Sequence, residues 1–325
     1  MRGSTGSGAG GASATEEARA RTAELLREVR RIEIQTSRLV TEHLSGSYHS
    51  AFKGQGIAFA GVRAYEPGDD VRAIDWNVTA RTGEPHIKLF TEEREVSVML
   101  LVDMSASLDL GSRDFDKRHL VARLVATFAF SAISNNDKVG LIGFTDRVEV
   151  FVPPRSGRKH VLAVISRVLT HEPQSRGTDP AIALEYLARL TKGQGVAILV
   201  SDFVDALGDD PEGPAARRFE HTLKIARRRH DVIPIRVEDP MELALPALGI
   251  VAAEDLELLG LAGDTVVDLG RRQSERYAKL VADERDAFDR LMRKLSLDTM
   301  SITCGDDWQR PLVAYFARRN RRIRH

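Results

Sequence analysis

Two uninterrupted apolar runs, Val98-Met-Leu-Leu-Val102 and Val196-Ala-Ile-Leu-Val200, constrain this chain more than any other feature. A strand with one wet face alternates apolar and polar side chains. A strand covered on both faces need not, and short continuous runs belong to parallel sheets sandwiched between helices. The intervening sequence agrees. Residues 115–134 place Leu120, Leu124, Phe128 and Ala132 on one helical face. Residues 138–144 and 147–152 read as a hairpin, and 158–169 and 180–190 as helices. After the second run come a helix over 215–228, a strand over 231–237 and an irregular stretch with short strands over 240–270. A long helix over 271–295, a strand over 299–303 and a helix over 310–319 complete the chain. This alternation predicts an α/β domain over 96–325: a doubly wound, mostly parallel sheet with helices on both faces.

The segment ahead of that domain divides into three. Residues 1–14 are a Gly/Ser-rich head, expected to be disordered because they bury nothing. Residues 15–58 hold an N-terminal helix, with Leu25, Val29, Ile32, Ile34, Leu39 and Val40 at helical spacing, and a linker. Within that linker, residues 45–56 are polar and glycine-dotted and read as a flexible connector; Gly54-Gln-Gly56 lacks the spacing of a dinucleotide fingerprint. Residues 59–95 form a small β-rich subdomain, with strands at 59–65, 73–79 and 86–92 and a turn at Glu66-Pro-Gly-Asp-Asp70. A few short strands need a surface to cover one face, so this unit is expected to pack on the larger domain. Around Trp76 lies dense mixed charge, read as a salt-bridged face with the indole against the main domain; a partner-docking surface anchored by Trp76 is the alternative.

Composition narrows the function classes. Lys+Arg and Asp+Glu are 47 each, which gives no global pull toward nucleic acid or an anionic membrane. Aromatic residues are scarce, at 6%, which argues against a base-stacking single-strand binder. One cysteine, Cys304, excludes an internal disulfide and a multi-thiolate zinc site and reads as structural. No apolar stretch reaches the roughly 18 residues of a membrane span, and the N-terminus has no apolar signal core, so the expected location is cytoplasmic. The His residues show no ligand-like spacing, and no Walker A sequence is present. Arg227-Arg-Arg229 suits a helix C-terminus, and the basic segment 318–324 reads as a solvated tail.

The chemistry concentrates where the first apolar run ends. Asp103-Met-Ser105-Ala-Ser107 follows it directly, and ligands of open α/β sheets bind outside the carboxyl ends of the strands. Leu199-Val-Ser-Asp202 ends the second run, and Arg176-Gly-Thr178-Asp179 lies in a loop before a helix. Two carboxylates and three hydroxyls would then converge, an oxygen set suited to one octahedral Mg²⁺ that keeps water positions; Mn²⁺ and Ca²⁺ are alternatives. Ser105 as a hydrolase nucleophile lacks the Gly-x-Ser-x-Gly elbow.

The set Asp-x-Ser-x-Ser, Gly-Thr-Asp and strand-Ser-Asp resembles the metal-ion-dependent adhesion site of von Willebrand factor A-type domains. The resemblance implies that Ser105 and Ser107 hold the metal through their hydroxyls and that Thr178 adds a third, directly or through water. It implies that Asp103 and Asp202 act mainly through bound waters, leaving one position for a partner's carboxylate. The block Arg63-Ala-Tyr-Glu-Pro-Gly-Asp-Asp-Val-Arg-Ala-Ile-Asp-Trp76 with Pro85-His-Ile-Lys-Leu-Phe-Thr-Glu-Glu-Arg94 resembles the bacterial family catalogued as domain of unknown function 58. That likeness spans about residues 40–320 and implies a MoxR-type AAA+ ATPase as partner in an assembly or chaperone system. The implied function is a non-enzymatic, Mg²⁺-dependent protein-interaction module whose client supplies an acidic side chain, with neither nucleic acid nor membrane as partner. The alternatives are a metal-dependent hydrolase at the same site, for which Arg176 is the one basic residue placed nearby, and a structural domain with an inert site.

Overall fold

The computed structural model describes residues 9–44, 48, 52, 57–92, 96–109, 117–175, 177–190, 193–204, 206–208, 210, 212–243, 249–253, 265–269, 271–305 and 307–323. The sequence readings of residues 1–8, of Gly54-Gln-Gly56, of Arg176 and of residues 324–325 lie outside these. In chain order the elements begin with α1 (Ala9–Leu39), a π-helical turn (Val40–Leu44), β1 (Ile57–Ala64), a 3-10 turn (Val71–Ala73), α2 (Trp76–Thr82) and β2 (His86–Glu92). The sheet domain follows with β3 (Ser97–Asp103), α3 (Lys117–Ser134), β4 (Lys138–Phe144), β5 (Val148–Arg155), α4 (Arg158–Thr170), α5 (Pro180–Leu190) and β6 (Gly195–Ser201). Then come α6 (Pro214–Arg227), β7 (His230–Glu238), the single turn α7 (Pro240–Leu243), β8 (Gly249–Ala253), β9 (Thr265–Leu269), α8 (Arg271–Lys294), β10 (Met300–Thr303) and α9 (Gln309–Ile323).

Six strands form one sheet in the order β10-β7-β6-β3-β4-β5. All neighbours are parallel except β4 and β5, the expected hairpin, which leaves an antiparallel edge. The apolar runs are the central strands β3 and β6, in register from Val98 against Val196 to Val102 against Val200. Both are buried on both faces, which is why neither alternates. Period 2 still sorts their side chains. Val98, Leu100 and Val102 face a core shared with α3, α4, α1 and α9, while Met99 and Leu101 face one shared with α5, α6 and α8. The chain runs outward from β3 through β4 and β5, then returns to the other side of β3 as β6. The order therefore reverses between β3 and β6, and a crevice opens at their carboxyl ends. Gly195 starts β6 because a Cβ there would lie 2.5 Å from the Ser97 carbonyl oxygen.

Three expectations need correction. First, residues 9–14, assigned to an irregular head, already belong to α1. Second, the polar segment 45–56 is no free connector at the residues described: Tyr48 and Phe52 are buried in the same core as β3 and α3. Third, residues 73–79 are not a strand. Their alternation resembles one, but Asp75 caps a helix instead, its carboxylate accepting from the backbone N–H of Asn77 at 3.0 Å and Val78 at 3.3 Å. Gly83, at φ 79°, closes that helix. Only a single bridge, Ile74 to Ile87, survives of the expected third strand.

The antiparallel β1–β2 pair and the segment joining it carry paired charges, as read: Arg63 grips Asp69 with two hydrogen bonds at 2.8 and 2.7 Å, and Lys88 lies 4.0 Å from Asp75. Trp76 departs from its reading. It is 69% exposed, with Val71 also exposed on the preceding turn. Among the described residues no helix is long and apolar enough to cross a membrane.

Candidate functional site

The five oxygen-bearing residues meet at the crevice between β3 and β6. Asp103 ends β3 and its Oδ1 accepts the Ser105 backbone N–H at 2.9 Å, a turn that folds the chain back over the strand end. The short 3-10 turn Ala106–Asp109 then brings Ser107 round, so that the Ser105 and Ser107 hydroxyls lie 3.0 Å apart. The Ser107 hydroxyl donates to Asp202 Oδ2 at 2.7 Å, across from the end of β6. Thr178 Oγ1 lies 3.5 Å from Asp103 Oδ1, the outer limit of a hydrogen bond.

Each of these positions is held from behind. Ser201, the last residue of β6, donates to Asp103 Oδ2 at 2.6 Å and accepts the Phe203 N–H at 3.0 Å. Asp202 Oδ1 accepts the Val204 N–H at 3.1 Å. Phe203 itself sits at φ 59°, a left-handed conformation that costs a bulky residue energy and that persists only where packing over-determines it. The packing is present: its ring lies 4.5 Å from that of Phe288 and 6.2 Å from that of Phe219. The Thr178 loop is tied through Asp179, whose N–H donates to the Thr145 carbonyl at 3.0 Å. Its carboxylate caps α5 at the Ala181 N–H and pairs with Arg218. Glu149 braces the same loop, accepting from the Thr145 hydroxyl at 2.8 Å and the Gln174 N–H at 3.2 Å.

Three residues of this cluster escaped the sequence reading. Ser201 stood beside Asp202 in the strand-Ser-Asp motif and could have been assigned with it. Lys117 and Glu242 could not, because neither lies near a motif. Lys117 opens α3 with its side chain wholly buried, and its ammonium donates to Asp202 Oδ2 at 2.9 Å. On its other side it pairs with Glu242 of α7. The expectation that only Arg176 brought positive charge here is thus corrected. Burial alone would pull the Lys117 ammonium down, but Asp202 and Glu242 outweigh it and hold it above its ordinary value.

Asp103 shows what the set lacks. Burial, then the charge of Asp202, push its carboxyl from an ordinary 3.8 up to about 6, against the hydrogen bonds from Ser201 and Ser105. A carboxylate with a raised folded value contributes stability that is present below 3.8 and lost as pH rises through about 6. The gap corresponds to roughly 3 kcal/mol in full, and to about 1 kcal/mol between pH 5 and pH 7.5. In EDTA, therefore, the wild type is expected to lose more stability than Asp103→Asn as pH goes from 5 to 7.5, read as the difference between their denaturant-unfolding free energies. Equal pH dependence in the two proteins would show that Asp103 carries no such shift.

The donor set fits a hard divalent cation. Its atoms are all oxygen, three hydroxyls and two carboxylates, and the buried Asp103 carboxylate lacks a full counter-charge. Among the described residues no cluster of three or more His, Cys, Asp or Glu forms a cradle, so any cation here relies on the hydroxyls.

Comparison with known proteins gives the following. The chain matches the family described as "Protein of unknown function DUF58" over residues 61–287. It is 30% identical over 300 residues to an uncharacterized protein of Mycobacterium tuberculosis, covering 92% of this chain and 90% of that one. Among solved structures it is similar to the conserved hypothetical protein BatB from Bacteroides thetaiotaomicron, with 18% identity, 70% of this chain and 99% of that chain covered, and a TM-score of 0.41. It is also similar to a von Willebrand factor type A protein from Catenulispora acidiphila, with 15% identity, 73% and 44% coverage, and a TM-score of 0.35.

Proposed function

The chain belongs to the DUF58 family of proteins of unknown function, and from its site we propose that its von Willebrand factor A-like domain is a non-enzymatic, Mg²⁺-dependent protein-interaction module. One observation carries the reading: the hydroxyls of Ser105, Ser107 and Thr178 and the carboxylates of Asp103 and Asp202 converge where the strand order reverses. When bound, Mg²⁺ would supply a positive charge little reduced by its hydroxyl ligands and so attract a carboxylate from a partner. Ser105, Ser107 and Thr178 would hold the cation, with Asp103 and Asp202 orienting its water shell. The partner we assign is a MoxR-type AAA+ ATPase in the cytoplasm, with a client protein bringing the acidic side chain. Lys117 supports binding over phosphoryl chemistry. Its ammonium is engaged by two protein carboxylates and faces no solvent, so it is a poor clamp for an incoming phosphate.

The experiment is a pull-down of a MoxR-type ATPase, and of its client proteins, on the full chain in millimolar Mg²⁺ and in EDTA. Client capture that survives EDTA unchanged would sink the metal-dependent reading, whatever happens to capture of the ATPase. A second prediction places the ATPase contact. Trp76→Ala should leave unfolding free energy within about 0.5 kcal/mol, since the indole is exposed. It should weaken ATPase binding by about tenfold or more, as removal of an aromatic anchor does. Unchanged affinity by calorimetry would move the contact away from α2.

A further inference from the structure

We propose that Lys117 is the built-in counter-cation of the site: it holds the carboxylates assembled without a divalent ion and competes with that ion for them. The proposal rests on the reading of the crevice as a cation site and names what sets its affinity.

The placement of Lys117 has no other ready explanation. It is the first residue of α3, an 18-residue helix, where the helix dipole favours negative charge. Its side chain has 0% exposure, and burying an ammonium is costly unless carboxylates meet it. Two do. Asp202 Oδ2, at 2.9 Å, is the oxygen that also accepts from Ser107, so the ammonium and the hydroxyl set share one acceptor. Glu242 takes the other side, fixed in turn by the Asp239 N–H, which donates to its Oε2 at 3.0 Å. Among the described residues, and with Asp103 ionised, the carboxylates of Asp103, Asp202 and Glu242 stand against the ammonium of Lys117. The two negative charges left over match one divalent cation. A cation arriving among Ser105, Ser107 and Asp202 meets Lys117 on the same carboxylate oxygen, and the two positive charges repel.

The charges predict effects of opposite sign at neighbouring residues. Lys117→Met leaves three uncompensated carboxylates, so it should lower the melting temperature in EDTA and tighten Mn²⁺ binding on the order of tenfold. Glu242→Gln removes one negative charge and leaves Lys117 wholly to Asp202, so it should weaken Mn²⁺ binding severalfold. Lys117→Met with Glu242→Gln should melt above Lys117→Met alone in EDTA. A merely structural lysine would weaken binding in both single variants. Mn²⁺ affinity is measured on the full chain by titration calorimetry, with melting temperatures by circular dichroism. Mn²⁺ binding by Lys117→Met no tighter than wild type overturns the competition. If Lys117→Met fails to fold, the double variant decides: Mn²⁺ binding tighter than in Glu242→Gln alone supports the competition, and binding no tighter overturns it. If no protein binds Mn²⁺, the metal reading fails, and competition with it. The counter-charge role is then judged on melting in EDTA alone, supported by rescue in the double variant and overturned by its absence.

Discussion

Replacing Ser105 and Ser107 together by alanine is expected to abolish the Mg²⁺-dependent gain in stability and to weaken Mg²⁺-dependent partner binding by about 30-fold or more. In the wild type, Mg²⁺ at ten times its dissociation constant should add about 1.4 kcal/mol to unfolding by mass action; in the double variant that increment should be absent. The geometry adds a cost that the sequence did not suggest. A strand-end loop reads as tolerant of small substitutions, but both serines are buried and hydrogen-bonded. Removing them takes a donor from Asp202 at 2.7 Å and leaves its buried oxygen to Lys117. A loss of roughly 1–3 kcal/mol in EDTA follows from the loss of buried hydrogen bonds, one of them to a charged group. The decisive quantity is therefore the Mg²⁺ increment within each protein, not the difference between proteins. If the double variant keeps the wild-type increment and its Mg²⁺-dependent affinity, the hydroxyls are not ligands. The surface around Trp76 then becomes the better candidate for the working face.

How much of this was legible follows from what each signal depends on. The sheet was legible because a strand buried on both faces must be apolar throughout, and Val98–Val102 and Val196–Val200 have no other economical use. Four of the site's five side chains were legible because they follow the ends of those strands, where the sheet itself brings them together; Thr178, on the loop before α5, was legible through its Gly-Thr-Asp setting. Lys117 and Glu242 were not, because they reach the site from a helix start and a single helical turn that only the tertiary fold places beside β6. Residues 73–79 misled because alternation is a tertiary signal, whereas the carboxylate of Asp75 acts locally on the next backbone N–H groups and prevails. Trp76 misled for a related reason: in a strand it would have shared the covered face, but as the first residue of a capped helix it points to solvent.

The largest stability effect is expected where composition was least informative. Residues 45–56 are polar enough to read as a connector, yet Phe52 lies in the main core, its ring 4.7 Å from Tyr48 and 6.1 Å from Phe316 of α9. The Arg319 guanidinium, taken for part of a solvated tail, covers the same ring at 5.3 Å and pairs with Asp231 of β7. Tyr48 donates its hydroxyl to the buried Asp137 at 3.1 Å, whose other oxygen accepts the Val96 N–H at the entry to β3. The N-terminal segment thus closes one face of the sheet. Phe52→Ala should cost about 3–5 kcal/mol, the range for a buried phenylalanine that leaves a cavity. For a chain of this size that lowers the melting temperature by roughly 10 °C. Phe52→Leu, which keeps most of the volume, should cost far less. The same packing gives residues 96–325, expressed alone, a reason to aggregate that does not involve the β1–β2 pair: they would expose the surface that α1, Tyr48 and Phe52 cover. A Phe52→Ala protein within 1 kcal/mol of wild type in denaturant unfolding, together with a soluble 96–325 fragment, would show that the segment is only draped over the sheet domain. A destabilised variant would make it part of that domain's fold.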